Sequence, residues 1–403
     1  MFTIAMLWDA LLGGGAQHES VPSVRRDTSM LAKILLDEGL LRAMSGSTGF
    51  WAHADRLDRT VRNEVSRGID FYGERGWLDD PAAYHREPPV LVDPDIESVF
   101  GLIPHEQLSF ESGYAPAVGE PGRRRWMGYR ENRRAHAWML RHGDPSRPWV
   151  IALHGYGMGL PLADLGGMRA RYLHHALGLN VLSYVMPLHG PRRVGRGYGS
   201  ELFSGGVSNL IHGEAQAMWD LRRIISWIRG TQGADRIAVH GVSLGGYTTA
   251  LLSALEPDLA CAVAGIPASC FVELFRQHSD RVGGIDPDRM DAFWEQTRRL
   301  LTVVSPLSMQ PRIPRERRYI FAAVADRLAP PGSAMALWEH WERPRIVWYQ
   351  GSHVSFVFEN DVRELLDAAM LESGMIESGW DPARGGLPWS SELAAWFPRF
   401  SSR

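Results

Sequence analysis

A serine, an aspartate and a histidine stand in this chain in an order that suits nucleophilic attack on an acyl carbonyl. Gly241-Val242-Ser243-Leu244-Gly245 follows the run Arg236 to His240 and precedes a helix-forming stretch, Gly246 to Leu255. A serine on a tight strand-to-helix turn needs small residues two before and two after it, because the turn brings backbone against backbone. The helix N-terminus then aims N–H groups and a positive dipole end at the same spot. The pentapeptide alone is a weak signal in a glycine-rich chain, and its setting gives it weight. A hydroxyl attacks only when a base takes its proton and a third group orients the base. Asp326 ends the run Tyr319-Ile-Phe-Ala-Ala-Val-Ala-Asp, and His353 follows Arg345 to Tyr349 in Gln350-Gly-Ser-His. Singly, these read equally well as a helix-capping aspartate and as one surface histidine among fifteen. Together, in order and at successive strand ends, they read as acid and base.

A fourth element is His154-Gly155-Tyr156-Gly157-Met158-Gly159, directly after the apolar run that starts at Trp149. Glycines there let the backbone turn and aim an N–H at a developing oxyanion, paired with the N–H of Leu244. Tyr156 is the favoured second amide and Gly157 the next. His154 reads as structural, since the mechanism needs no second base.

These residues must be held by a scaffold, and the chain supplies a parallel one. From Trp149 onward, short apolar runs alternate with helix-period segments: Val181 to Val185, Arg236 to Val242, Leu259 to Ile266, Tyr319 to Val324 and Arg345 to Tyr349. That is the pattern of strands buried on both faces and covered by helices. Met218, Leu221, Ile225 and Ile228 recur at helical steps, as do Val362, Leu365 and Ala369. Leu108 to Tyr114 and Ala135 to Arg141 read as antiparallel strands leading in. Residues 1–106 read as an N-terminal extension with a helix near Met30 to Met44. Residues 271–317 are too long for a simple crossover, carry helical pattern at Phe293 to Leu301, and read as a cap insertion or an elaborated helix. Residues 373–403 form a tail whose Trp380, Trp389 and Trp396 clamp it to the body, staple a homodimer or touch lipid.

The whole chain has 403 residues and 43 basic against 46 acidic side chains, a net charge of −3. That balance argues against a nucleic-acid binder. Lys33 is the only lysine, so a phosphate-cradling G-x-x-x-x-G-K loop cannot exist and a Schiff base could form only there. Two cysteines, Cys261 and Cys270, make no disulfide framework or four-ligand zinc site and suit a reducing, cytoplasmic setting. Met1 to Trp8 is apolar but too short to span a bilayer, and no run of about 18 apolar residues occurs, so no transmembrane segment is expected. His174-His175 lacks the H-E-x-x-H frame, and no G-x-G-x-x-G occurs, so neither a metal nor a dinucleotide cofactor is expected.

Taken together, Gly241 to Gly245, the His154-Gly155 loop, Asp326 and His353 resemble the α/β-hydrolase superfamily over roughly Leu108 to Leu371. Pro187-Leu188-His189-Gly190-Pro191-Arg192 is similar to the Pro/Gly-His-Gly loop after the next strand in many members. Gly76-Trp77-Leu78, Met186 to Arg192, Ala217 to Arg229 and Ser243-Leu-Gly-Gly-Tyr247 resemble a group of uncharacterised actinobacterial α/β-hydrolase-like proteins that share the extension. The resemblance implies that fold, with a core at 107–372, and a Ser243-His353-Asp326 triad. His154, His189 and Arg192 are expected to border the substrate pocket, Arg192 meeting a carboxylate or phosphate or else simply holding its own loop. The expected activity is cleavage of a small-molecule acyl ester through an acyl-enzyme. Thioester cleavage, acyl transfer and a hydrolase-like binding or regulatory protein remain as alternatives.

Overall fold

The computed structural model describes residues 19–48, 59–195, 197, 199–279 and 287–377. In it nine strands form one sheet: β1 (Asp95–Val99), β2 (His105–Glu111), β3 (Arg134–Leu140), β4 (Trp149–Leu153), β5 (Asn180–Tyr184), β6 (Ile237–Val242), β7 (Cys261–Gly265), β8 (Arg318–Ala323) and β9 (Arg345–Tyr349). Their spatial order is β1-β2-β3-β5-β4-β6-β7-β8-β9. The first four neighbours pair antiparallel, and every pair from β5 to β9 is parallel. Chain order reverses direction at β4, with β5 on one side and β6 on the other, the kind of switch point at which open α/β sheets place their ligands.

Every residue of β4 to β8 is buried, as apolar runs without alternation require. Successive residues feed opposite layers. Ile151, Leu153 and Val239 join one core, and Val150, Ala152 and Ala238 join the other.

The described helices are α1 (Thr28–Thr48), α2 (Arg59–Gly73), α3 (Arg123–Gly128), α4 (Pro161–Gly167), α5 (Ser200–Ser204), α6 (Val207–Gly230), α7 (Leu244–Leu255), α8 (Phe271–Ser279), α9 (Pro287–Leu301), α10 (Pro331–His340) and α11 (Asn360–Glu372). The stripe Met218, Leu221, Ile225 and Ile228 of α6 covers the first face, and Val362, Leu365 and Ala369 of α11 cover the second. None of the described helices is long and apolar enough to cross a membrane.

Two features were not expected. β1 lies within the stretch read as an extension; four of its five residues are exposed and the fifth, Val99, is half-buried, so it carries no apolar pattern to announce it. The N-terminal helices pack on the body. Met30 and Ile34 of α1 bury against Val324 and Ala325 just beyond β8, and α2 packs against α6 and α9. The segment between β7 and β8 carries α8 and α9, and residues 280–286 between them fall outside the described residues. So do Met1 to Trp8 and the three tail tryptophans.

Candidate active site

Ser243 sits between β6 and α7 with φ 56° and ψ −114°, a backbone that a residue with a side chain rarely adopts. Its N–H donates to Gly265 O at 2.9 Å, and its own carbonyl accepts Tyr247 N–H at 3.0 Å, which starts α7. The glycine spacing has a direct steric reason. A Cβ on Gly241 would lie 2.1 Å from Gly245 O, and one on Gly245 would lie 1.9 Å from Leu153 O. The strained turn lifts the Ser243 side chain to the rim, where it is half-buried. Its hydroxyl makes no hydrogen bond among the described residues.

Asp326 and His353 meet as their order implied. Asp326 Oδ2 lies 2.7 Å from His353 Nδ1, and both side chains are buried. A carboxylate only accepts, so Nδ1 carries the proton and Nε2 of the neutral ring is left as an acceptor. Asp326 Oδ1 is fixed in turn by Leu328 N–H at 2.9 Å and Ala329 N–H at 2.8 Å. Burial pulls the His353 imidazole down, but the charges of Asp326 and Asp37 hold it above its usual range.

The glycine loop after β4 runs beside this turn. A Cβ on Gly155 would touch the Ser243 Cβ at 3.5 Å, and Gly157 and Gly159 take positive φ. Leu244 opens α7, where backbone N–H groups have no intrahelical partner. His154 braces the loop from behind. Its Nδ1 lies 2.8 Å from Gly155 O and its Nε2 accepts Met186 N–H at 3.0 Å, an arrangement that suits a neutral ring, which burial holds down at about 4.

The residues expected to border the pocket are instead inside the protein. His154 and His189 are fully buried, and the His189 and Tyr156 rings stand perpendicular with centroids 5.7 Å apart. Arg192 is fully buried as well. Its Nη1 donates to Tyr184 Oη at 2.8 Å and Val185 O at 3.1 Å, and its Nη2 to Asn132 O at 3.1 Å and Asp220 Oδ2 at 3.0 Å. A sequence shows a loop but not that α6 will place Asp220 beneath it. Arg192→Ala is therefore expected to leave Asp220 buried without its cation and to cost about 3–5 kcal/mol of stability in denaturant unfolding. A substrate-binding arginine would instead raise KM with stability unchanged.

Two groups escaped the sequence reading. One is an aromatic series: Tyr156 meets Phe203 of α5 at 4.9 Å, Phe203 meets Phe271 of α8 at 5.9 Å, and Phe275 meets Trp294 of α9 at 6.4 Å. The other is Asp37 of α1, fully buried and bonded to the backbone of His353. A signal for it existed. Met30, Ile34, Asp37 and Leu41 are spaced as one helix face, and all four are buried, so an acid occupies an apolar stripe.

No family model matches the chain. Two uncharacterised proteins of Mycobacterium tuberculosis, from strains CDC 1551 / Oshkosh and ATCC 25618 / H37Rv, are each 37% identical over 377 residues, covering 93% of this chain and 89% of the relative. Among solved structures, acetyl xylan esterase 1 from Thermoanaerobacterium sp. JW/SL YS485 matches 75% of this chain and 93% of its own, with a TM-score of 0.53 and 16% identity. That likeness is one of fold.

Proposed function

This chain belongs to one family with the two uncharacterised mycobacterial proteins and has the fold of an α/β-hydrolase, and on that premise we propose that it is a serine hydrolase acting on carboxylic esters. The observation that carries the reading is the 2.7 Å bond between Asp326 and His353, made by loops that leave the same sheet edge as the strained Ser243 turn. In this reading Ser243 Oγ attacks the acyl carbon while His353 Nε2 takes its proton. The N–H groups of Leu244 and Tyr156, with Gly157 beside them, hold the oxyanion. His353 returns the proton to the leaving alcohol, and water then releases the acyl group by the same steps. The serine–imidazole hydrogen bond, open here, closes as substrate binds.

The aromatic series from Tyr156 to Trp294 would give the substrate an apolar wall, so esters of modest, apolar acids fit better than charged ones. The free thiols Cys261 and Cys270 suit a reducing compartment. A fluorophosphonate probe is expected to label the folded protein at Ser243, identified by peptide mapping, and nitrophenyl esters of graded length are expected to be cleaved faster than acyl-CoA thioesters. Failure to label beside a serine hydrolase that does label would favour a binding protein on a hydrolase scaffold.

A further inference from the structure

Asp37 precedes His353 by 316 residues, yet its Oδ2 accepts the His353 N–H at 2.8 Å. The same oxygen accepts Arg327 N–H at 3.2 Å, and Oδ1 accepts Val354 N–H at 3.2 Å. One carboxylate from α1 thus joins the loop after β8, which carries Asp326, to the loop after β9, which carries His353. A carboxylate buried this completely is tolerated only when its oxygens are satisfied, and here, among the described residues, its three donors are backbone N–H groups of those two loops. The helix is pinned on either side of Asp37. Lys33 Nζ donates to Gln350 O at 2.8 Å and pairs with Glu359 at 2.6 Å, and Arg327 pairs with Glu38 at 2.9 Å.

We propose that Asp37 is a positioning residue for the ester-cleaving site, fixing the Asp326 and His353 loops against each other so that the imidazole stands ready at Ser243. The inference rests on the serine-hydrolase reading and extends it to a segment outside the sheet. It also carries an electrostatic consequence. Among the described residues, the charged groups around His353 are Asp326 from the β8 loop, Asp37 from α1, and the Lys33–Glu359 and Arg327–Glu38 pairs, whose charges offset each other. Burial and the Asp326 charge raise the Asp37 carboxyl above its usual range, its backbone N–H donors favour the ionised form, and in that form it supplies a second negative charge that favours the imidazolium.

The test is Asp37→Asn, which keeps the size and one acceptor but removes the charge. Fluorophosphonate labelling of Ser243 is expected to slow by about 10- to 100-fold, as small misplacements of reacting groups do. Labelling requires neutral His353. Removing the Asp37 charge lowers the pH at which the imidazole protonates, so the acidic inflection of the labelling rate should move to lower pH. A carboxylate that merely stabilised the fold would change the melting temperature and leave the labelling rate of the folded variant, measured above the inflection, at the wild-type value. Should the asparagine variant not fold, Lys33→Met combined with Glu38→Gln loosens the same helix while retaining Asp37, and labelling several-fold slower is expected. Wild-type rate and inflection in the folded asparagine variant, or a wild-type rate in the double variant, would overturn the positioning role while the hydrolase reading stands. Absence of labelling in the wild type would remove both.

Discussion

Ser243→Ala is expected to lower turnover by about 10⁶ if serine, histidine and aspartate act as one unit, with the melting temperature nearly unchanged. The two halves of that expectation have separate physical grounds. The hydroxyl makes no hydrogen bond among the described residues, so its removal leaves no buried partner unsatisfied. The backbone strain at φ 56° is the same for alanine as for serine, so the turn neither gains nor loses much. Steady-state hydrolysis of the best nitrophenyl ester, with thermal melting of the same preparation, checks both. Residual activity within tenfold of the parent would mean that another residue performs the chemistry.

Asp326→Asn should cost about 10⁴ in kcat with little change in KM. The structure gives the reason in atoms. Oδ1 is held by the N–H groups of Leu328 and Ala329, which demand an acceptor, so the amide oxygen of asparagine will take that place. The amide nitrogen must then face His353 Nδ1 as a donor, forcing the ring proton onto Nε2. In that tautomer the imidazole cannot accept the serine proton. Parallel loss of turnover and of fluorophosphonate labelling is the expected outcome. A loss below tenfold would show that the orientation of His353 is set elsewhere.

How much of this was legible in the chain depends on the range over which each feature is decided. β4 to β8 announce themselves because strands buried on both faces are mostly apolar without alternation, and the Ser243 turn because its glycines are required by close backbone contacts. The Asp326–His353 pairing followed from chain order and strand ends. β1 was missed because an exposed edge strand needs no apolar alternation. Whether Arg192 meets substrate or holds its own loop stayed open in the sequence, because its burial depends on Tyr184, Asn132 and Asp220, brought together only by the folded sheet and α6. Asp37 was overlooked although its stripe contained the clue, because an acid at one apolar-face position gains meaning only once its donors are known.

The reach of α1 across the chain has a consequence for how the protein is made. During synthesis the helix carrying Asp37 leaves the ribosome long before residues 327, 353 and 354 exist, and at about 5–20 residues per second it waits roughly 15 to 60 s for them. Throughout that interval its apolar stripe and its carboxylate lack their seat on the completed sheet. The nascent polypeptide therefore spends that period with α1 unseated, and the bonds of Asp37 to His353 and Val354 form only when β9 and its loop have closed beneath it.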